Sequence, residues 1–128
     1  GFYSSTSKIR TLNGNLGASI GAVNSNMAGV GNTSGSTTTS ATMTKNGYAV
    51  ISGCGYSQYN GCNLSMSISV NNTTPTNLVQ RYDRSDGIVW GRMRGFTCEV
   101  KKGDVVSATV SVSGGNVSYG VSIINIGK

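Results

Sequence analysis

The side chains able to do chemistry crowd into two places. Arg81, Asp83, Arg84, Asp86, Arg92 and Arg94 fall close together. A guanidinium is a planar fork of donors that matches a carboxylate or a phosphate two bonds at a time. Trp90 with Arg92 and Arg94, and Arg81 beside them, are therefore candidates to face an anionic sugar. Tyr56 and Tyr59 sit between Gly55 and Gly61, a glycine-flanked loop of the kind that offers rings for sugars to stack on. Each has a structural alternative. Trp90 fits a core, the tyrosines fit packing within their own loop, and the arginines fit a solvated face paired with Asp83 and Asp86.

Other chemistries are excluded. The chain has no histidine, so no side chain titrates as a base near neutral pH without being perturbed. It has four acids, and those at 83 and 86 stand beside arginines that keep them ionised, whereas a general acid needs a raised pKa. Gly-x-Ser-x-Gly is absent. The chain therefore reads as a non-enzyme without cofactor. Cys54, Cys62 and Cys98 match no zinc spacing, so no metal site is expected. An odd count cannot pair fully within one chain; either Cys54 and Cys62 close their loop or all three are thiols. Ten basic against four acidic residues leave a net charge of +6, yet no basic helix, stacking platform or zinc module accompanies it. Nucleic acid is not an expected partner. No apolar stretch is long enough for a membrane helix, and no membrane insertion is expected.

These residues need a scaffold, and 128 residues suffice for one cored domain. Two periods divide the chain. Ile9, Leu12, Leu16, Ile20, Val23, Met27 and Val30 are spaced by a mean of 3.5, the period of a coiled-coil seam. Four glycines interrupt that seam (14, 17, 21 and 29), each costing a helix about 1 kcal/mol relative to alanine. The segment is then either a slender helical bundle shared among chains, where burial offsets that cost, or an extended linker lying on a neighbouring head. Residues 31–39 have linker composition. Beyond them the period is two. Lys45-Asn46-Gly47 reads as a tight hairpin turn before a strand over 48–53. Leu64, Met66, Ile68 and Val70 alternate with serines. A strand over 78–82, a turn over 83–87, strands over 88–90 and 96–100, and two long strands from Val105 and Val117 complete about eight. That is the pattern of an antiparallel β-sandwich or barrel. The division is a stalk and linker over 1–35 and a head over 36–128.

Three pieces lie in an order that resembles the jelly roll of the tumour-necrosis-factor and complement globular-head superfamily. They are Thr44-Lys45-Asn46-Gly47-Tyr48-Ala49-Val50-Ile51-Ser52, Lys102-Gly103-Asp104-Val105-Val106, and Ser118-Tyr119-Gly120-Val121-Ser122-Ile123-Ile124. A Gly/Asn/Ser-rich seam before such a head resembles bacteriophage tail-fibre and receptor-binding proteins. The resemblance implies an all-β, TNF-like jelly roll that forms a homotrimer, resides in the virion and attaches to a host cell-surface carbohydrate. The alternative it leaves is a purely structural virion piece, such as a head fibre, decoration or connector. The calcium-binding acidic clusters of some complement-type heads have no counterpart here. Trimerisation also has a physical argument: a short sandwich with long apolar strands carries more apolar surface than one thin core absorbs, and closed symmetry hides the excess.

Overall fold

In the computed structural model, which describes residues 19–29, 34–57, 63–86, 91–114 and 117–128, the alternating runs become strands whose apolar halves meet. The eight are β1 (Ile20–Gly29), β2 (Ser34–Thr42), β3 (Gly47–Ser57), β4 (Asn63–Val70), β5 (Val79–Asp86), β6 (Gly91–Val100), β7 (Val105–Ser113) and β8 (Val117–Gly127). They form two antiparallel sheets, β1-β8-β3-β6-β5 and β2-β7-β4, stacked as a β-sandwich. No helix among the described residues is long and apolar enough to cross a membrane.

The core follows the period of two. Val106, Ala108, Val110 and Val112 of β7 face Val117, Tyr119, Val121 and Ile123 of β8, and all eight are buried. Ala49 and Ile51 of β3, Leu64 and Ile68 of β4, and Cys98 and Val100 of β6 complete the layer. Burying one such aliphatic side chain is worth about 1.5–3 kcal/mol. On the outer face of the smaller sheet the partners of alternation are hydroxyls. Registers bring Ser36, Ser111 and Ser65 into one row, Thr38, Thr109 and Ser67 into the next, and Ser40, Ser107 and Ser69 into a third. Thr38 and Thr109 are hydrogen-bonded through their Oγ1 atoms at 2.7 Å.

The expected helical seam is corrected where it is described. Ile20, Val23 and Met27 belong to β1, the edge strand beside β8. Val23 and Met27 are four apart, an even step that keeps both on one face of a strand as well as on one side of a helix. Ile20 and Val23 are three apart, but a bulge lies between them. Ile20 opposes Ile126 and Val23 opposes Ile124, so three steps on β1 match two on β8 and all three side chains reach the outer face. The same spacing therefore served two periods, and pairing with β8 decided between them. Ile9, Leu12, Leu16 and Val30 lie outside the described residues. The sandwich thus includes residues assigned above to the stalk. Residues 34–39, read as linker, are β2. Residues 83–86, read as a turn, continue β5 because Asp83 to Asp86 pair with Arg94 to Gly91, and β6 runs unbroken through Gly91 and Gly95.

Lys45-Asn46-Gly47 is not a hairpin turn either. β2 pairs with β7 and β3 with β6 and β8, so this segment carries the chain from one sheet to the other. A crossover has backbone groups with no ladder partner, and Asn125 supplies them. Its fully buried Oδ1 accepts the N–H groups of Thr44 at 3.1 Å and Lys45 at 3.0 Å, while Nδ2 donates to the carbonyls of Lys45 at 3.3 Å and Tyr48 at 3.1 Å. Two glycines make room. A Cβ at Gly21 would run into Asn125 Oδ1, and one at Gly47, whose φ is +154°, would run into the carbonyl of Ile126. The true two-residue hairpin at this end is Asn71-Asn72, with φ of 53° and 65° and Val70 and Thr73 exchanging bonds of 2.8 and 3.1 Å.

Replacing Asn125 with alanine leaves two N–H groups and two carbonyls of the crossover without partners. The expected loss is about 3 kcal/mol. Asn77→Ala, which removes one exposed 3.4 Å bond to the Glu99 carbonyl, is expected to cost under about 0.5 kcal/mol. Urea midpoints of the two variants check this.

Candidate functional site

The two faces of the larger sheet differ chemically, and so do its two ends. Its outer face is mostly apolar over β1, β8 and β3, crossed by one row of serines, Ser25, Ser122 and Ser52, and takes up charge only toward β6 and β5. β1, β8 and β3 are adjacent and carry no charged residue at all. Ile20, Val23 and Met27 of β1, Tyr48 and Tyr56 of β3, Met93 of β6, and Val79 and Tyr82 of β5 are all exposed, Met27 at 80%. Val50, Ile124 and Ile126 lie half-buried among them. A hollow of about 310 Å³ opens here, lined by Met27, Cys54, Tyr56 and Met93 among others. Met27 reaches over Gly120, where no side chain intervenes.

The arginines occupy a different place. Alternation along β6 turns Met93 outward and Arg92 and Arg94 inward. The smaller sheet ends at β4, while β5 extends the larger sheet beyond it. The inner side of β6 is therefore left facing a groove beside the β4 edge. Arg92 and Arg94 line this groove of about 310 Å³ with Asn63, Leu64, Ser65, Ser111, Val112 and Ser113. One oxygen of Asp83 meets both guanidiniums, Arg94 Nε at 3.3 Å and Arg92 Nη2 at 3.8 Å. Both arginine side chains are 25% exposed. Arg92 Nε is shielded from solvent and has no hydrogen-bond acceptor among the described residues.

The sequence candidates are thus split. Arg92 and Arg94 converge. Tyr56 stands on the apolar outer face, away from them. Arg81 is exposed on β5 and donates from Nε to Thr97 Oγ1 at 2.8 Å. Tyr59, Trp90 and Cys62 lie outside the described residues. Cys54 is a free, exposed thiol and Cys98 a free, buried one. Sequence reasoning missed Ser65, Ser111 and Ser113 as groove residues. Their alternation marked a solvent-side face, but which arginines they border depends on where the smaller sheet stops.

A third concavity, about 600 Å³, lies at the end of the sandwich between Asn46, Asn77, Glu99, Lys101, Asp104 and Lys128. Its acids are already engaged. Glu99 pairs with Lys128, and this hydrogen bond, foremost, raises the Lys128 pKa above its ordinary value. Asp104 accepts from the Lys101 N–H at 2.8 Å and Asn71 Nδ2 at 3.1 Å. Burial, with the charge of Asp104 second, pushes the Cys98 thiol up, so it stays protonated and inert. Among the described residues no cluster of three or more metal-ligating side chains occurs.

No protein family, curated protein or solved structure matches this chain.

Because Asp83 and its arginines are partly solvated, their pairing contributes little to folding. Asp83→Asn is expected to shift stability by under about 1 kcal/mol, read from the urea midpoint. A larger loss would make the cluster a structural clamp.

Proposed function

We propose that this chain is a non-enzymatic attachment module of the bacteriophage tail-fibre or receptor-binding type, a homotrimer closed through the outer face of its larger sheet and presenting a glycan site on the side away from the axis. The observation that carries the reading is the charge-free, apolar outer face of β1, β8 and β3. Exposed apolar patches of this breadth are rare on monomers and typical of interfaces. A threefold axis buries such a face identically in every copy and leaves none over. The groove lined by Arg92 and Arg94 lies on the other side of the sheet and stays open.

The strand pairing supports the jelly-roll form of the head. The nested pairs β1·β8, β2·β7 and β3·β6 are those of one long hairpin rolled over on itself. The fourth pair of such a roll, β4 with β5, is not made, since β5 pairs with β6. The reading without catalysis draws support from three acids. Asp83, Glu99 and Asp104 are each already engaged by cations or N–H groups, which leaves none of them aimed at an open cleft as a free acid or base. Three linked sites would raise attachment through avidity. A virion location follows from this reading.

Light scattering on the purified chain should return three times the 13.2 kDa chain mass. Met27→Glu together with Met93→Glu should shift the particle to a folded monomer, with the strand signal of circular dichroism retained. Iodoacetamide should modify Cys54 slowly in the trimer and quickly in that monomer, read by peptide mass. A monomer at micromolar concentration for the unmodified chain would end the proposal.

A further inference from the structure

We propose that the groove between the β4 edge and the inner side of β6 binds a carboxylate-bearing sugar residue, gripped by Arg92 and Arg94. The inference rests on the attachment reading above and gives it a ligand class and an address.

Four observations converge. First, charge: two guanidiniums meet one carboxylate, Asp83, which leaves the cluster with a net positive charge. Arg81 and Arg84 of the neighbouring strand stand on the other face of the sheet, Arg84 opposite Met93 and Arg81 bonded to Thr97, so the positive charge in the groove is that of Arg92 and Arg94. Second, geometry: a single oxygen of Asp83 lies within 4 Å of both arginines, at 3.3 and 3.8 Å, so the space between them admits a carboxylate oxygen. These distances are long for charge-assisted bonds, which run at about 2.7–2.9 Å, so a ligand carboxylate can do better. Third, the shielded Arg92 Nε has no acceptor among the described residues, so the guanidinium is incompletely satisfied, and a side-chain shift that brings a ligand oxygen to it would be favoured. Fourth, the lining: Asn63, Ser65, Ser111 and Ser113 give the groove a polar rim suited to the hydroxyls of a sugar, while Leu64 and Val112 give it an apolar part. Its volume of about 310 Å³ falls at the small end of ligand sites, about 300–1,000 Å³, which fits one saccharide unit rather than a chain segment.

Asp83 has a defined role in this arrangement. It holds the two guanidiniums side by side and competes with the ligand for them. Removing its charge frees donors without disturbing the strands that carry them.

The test is calorimetry with hexuronate and nonulosonate oligomers, the methyl esters of the same oligomers, and a glycerol-phosphate polymer. The acidic oligomers are expected to bind and their neutral esters to bind at least about tenfold more weakly. Arg92→Gln and Arg94→Gln should each weaken acidic binding about tenfold or more, the scale of one charge-assisted contact. Asp83→Asn should strengthen it several-fold. Should a glutamine variant unfold, Arg94→Lys keeps the charge and loses the fork, and it is still expected to bind several-fold more weakly. Binding of the phosphate polymer alone, or acidic binding indifferent to these substitutions, overturns the inference. Binding of neutral glycans that ignores both arginines overturns it while leaving the attachment reading intact. A trimer that binds no glycan on a broad array overturns both.

Discussion

The sandwich depends on getting one chain across from sheet to sheet without leaving its backbone unpaired. Between Thr42 and Gly47 the polypeptide quits the β7 ladder and joins the β8 ladder, and Asn125 of β8 bonds the passing segment through every polar atom of its amide. The buried amide replaces a ladder that the crossover cannot have. It also sets local demands on residues far away in sequence. Gly21 must lack a side chain because Asn125 lies where a Cβ would be, and Gly47 must because β8 passes so close. β8 is thus held from both sides, by β1 and by β3, and the core layer of β7 against β8 follows from that placement.

At the opposite side of the crossover, asparagines close the gap between the sheets. Asn24 Nδ2 donates to the Ser40 carbonyl at 2.7 Å, and Asn26 Nδ2 to Thr37 Oγ1 at 2.7 Å and the Thr38 carbonyl at 3.3 Å. The β2 edge is thereby covered by β1 side chains. Nothing comparable among the described residues covers the β4 edge, because β5 has left for the larger sheet. The groove lined by Arg92 and Arg94 exists for that reason. One strand's choice of partner creates a wall of five strands over a wall of three, with two arginines at the step.

The two outer faces have opposite chemistry. Rows of serine and threonine coat the smaller sheet, whereas the larger sheet is charge-free and largely apolar over β1, β8 and β3 and becomes charged only toward β6 and β5. Both faces derive from the same alternation, since each strand spends one residue in two on the shared core. What differs is the second residue: almost all hydroxyls on β2, β4 and β7, and on β1, β3 and β8 mainly aliphatic, methionine and aromatic side chains with a few serines among them. Low charge in such a chain does not distinguish the faces; only the grouping of strands into sheets collects each kind on one surface.

The all-β class, the antiparallel alternation and most of the core were legible in the residues, because a period of two at Leu64–Val70, Val106–Val112 and Val117–Ile123 admits no other regular structure. The absence of histidine and the scarcity of acids were legible too. The tertiary structure alone decided the rest. Steps of three and four at Ile20, Val23 and Met27 fit a helix until β8 offered a ladder and a bulge absorbed the odd step. Asp83 to Asp86 looked like a turn until β6 lay alongside. The meeting of Arg92, Arg94 and Asp83 beside Ser65 and Ser111 required strands distant in sequence to end at particular sheet edges. Periodicity is local and is written into neighbouring residues, whereas partner choice and register are settled by which long-range ladders leave the fewest backbone groups and the least apolar surface unpaired.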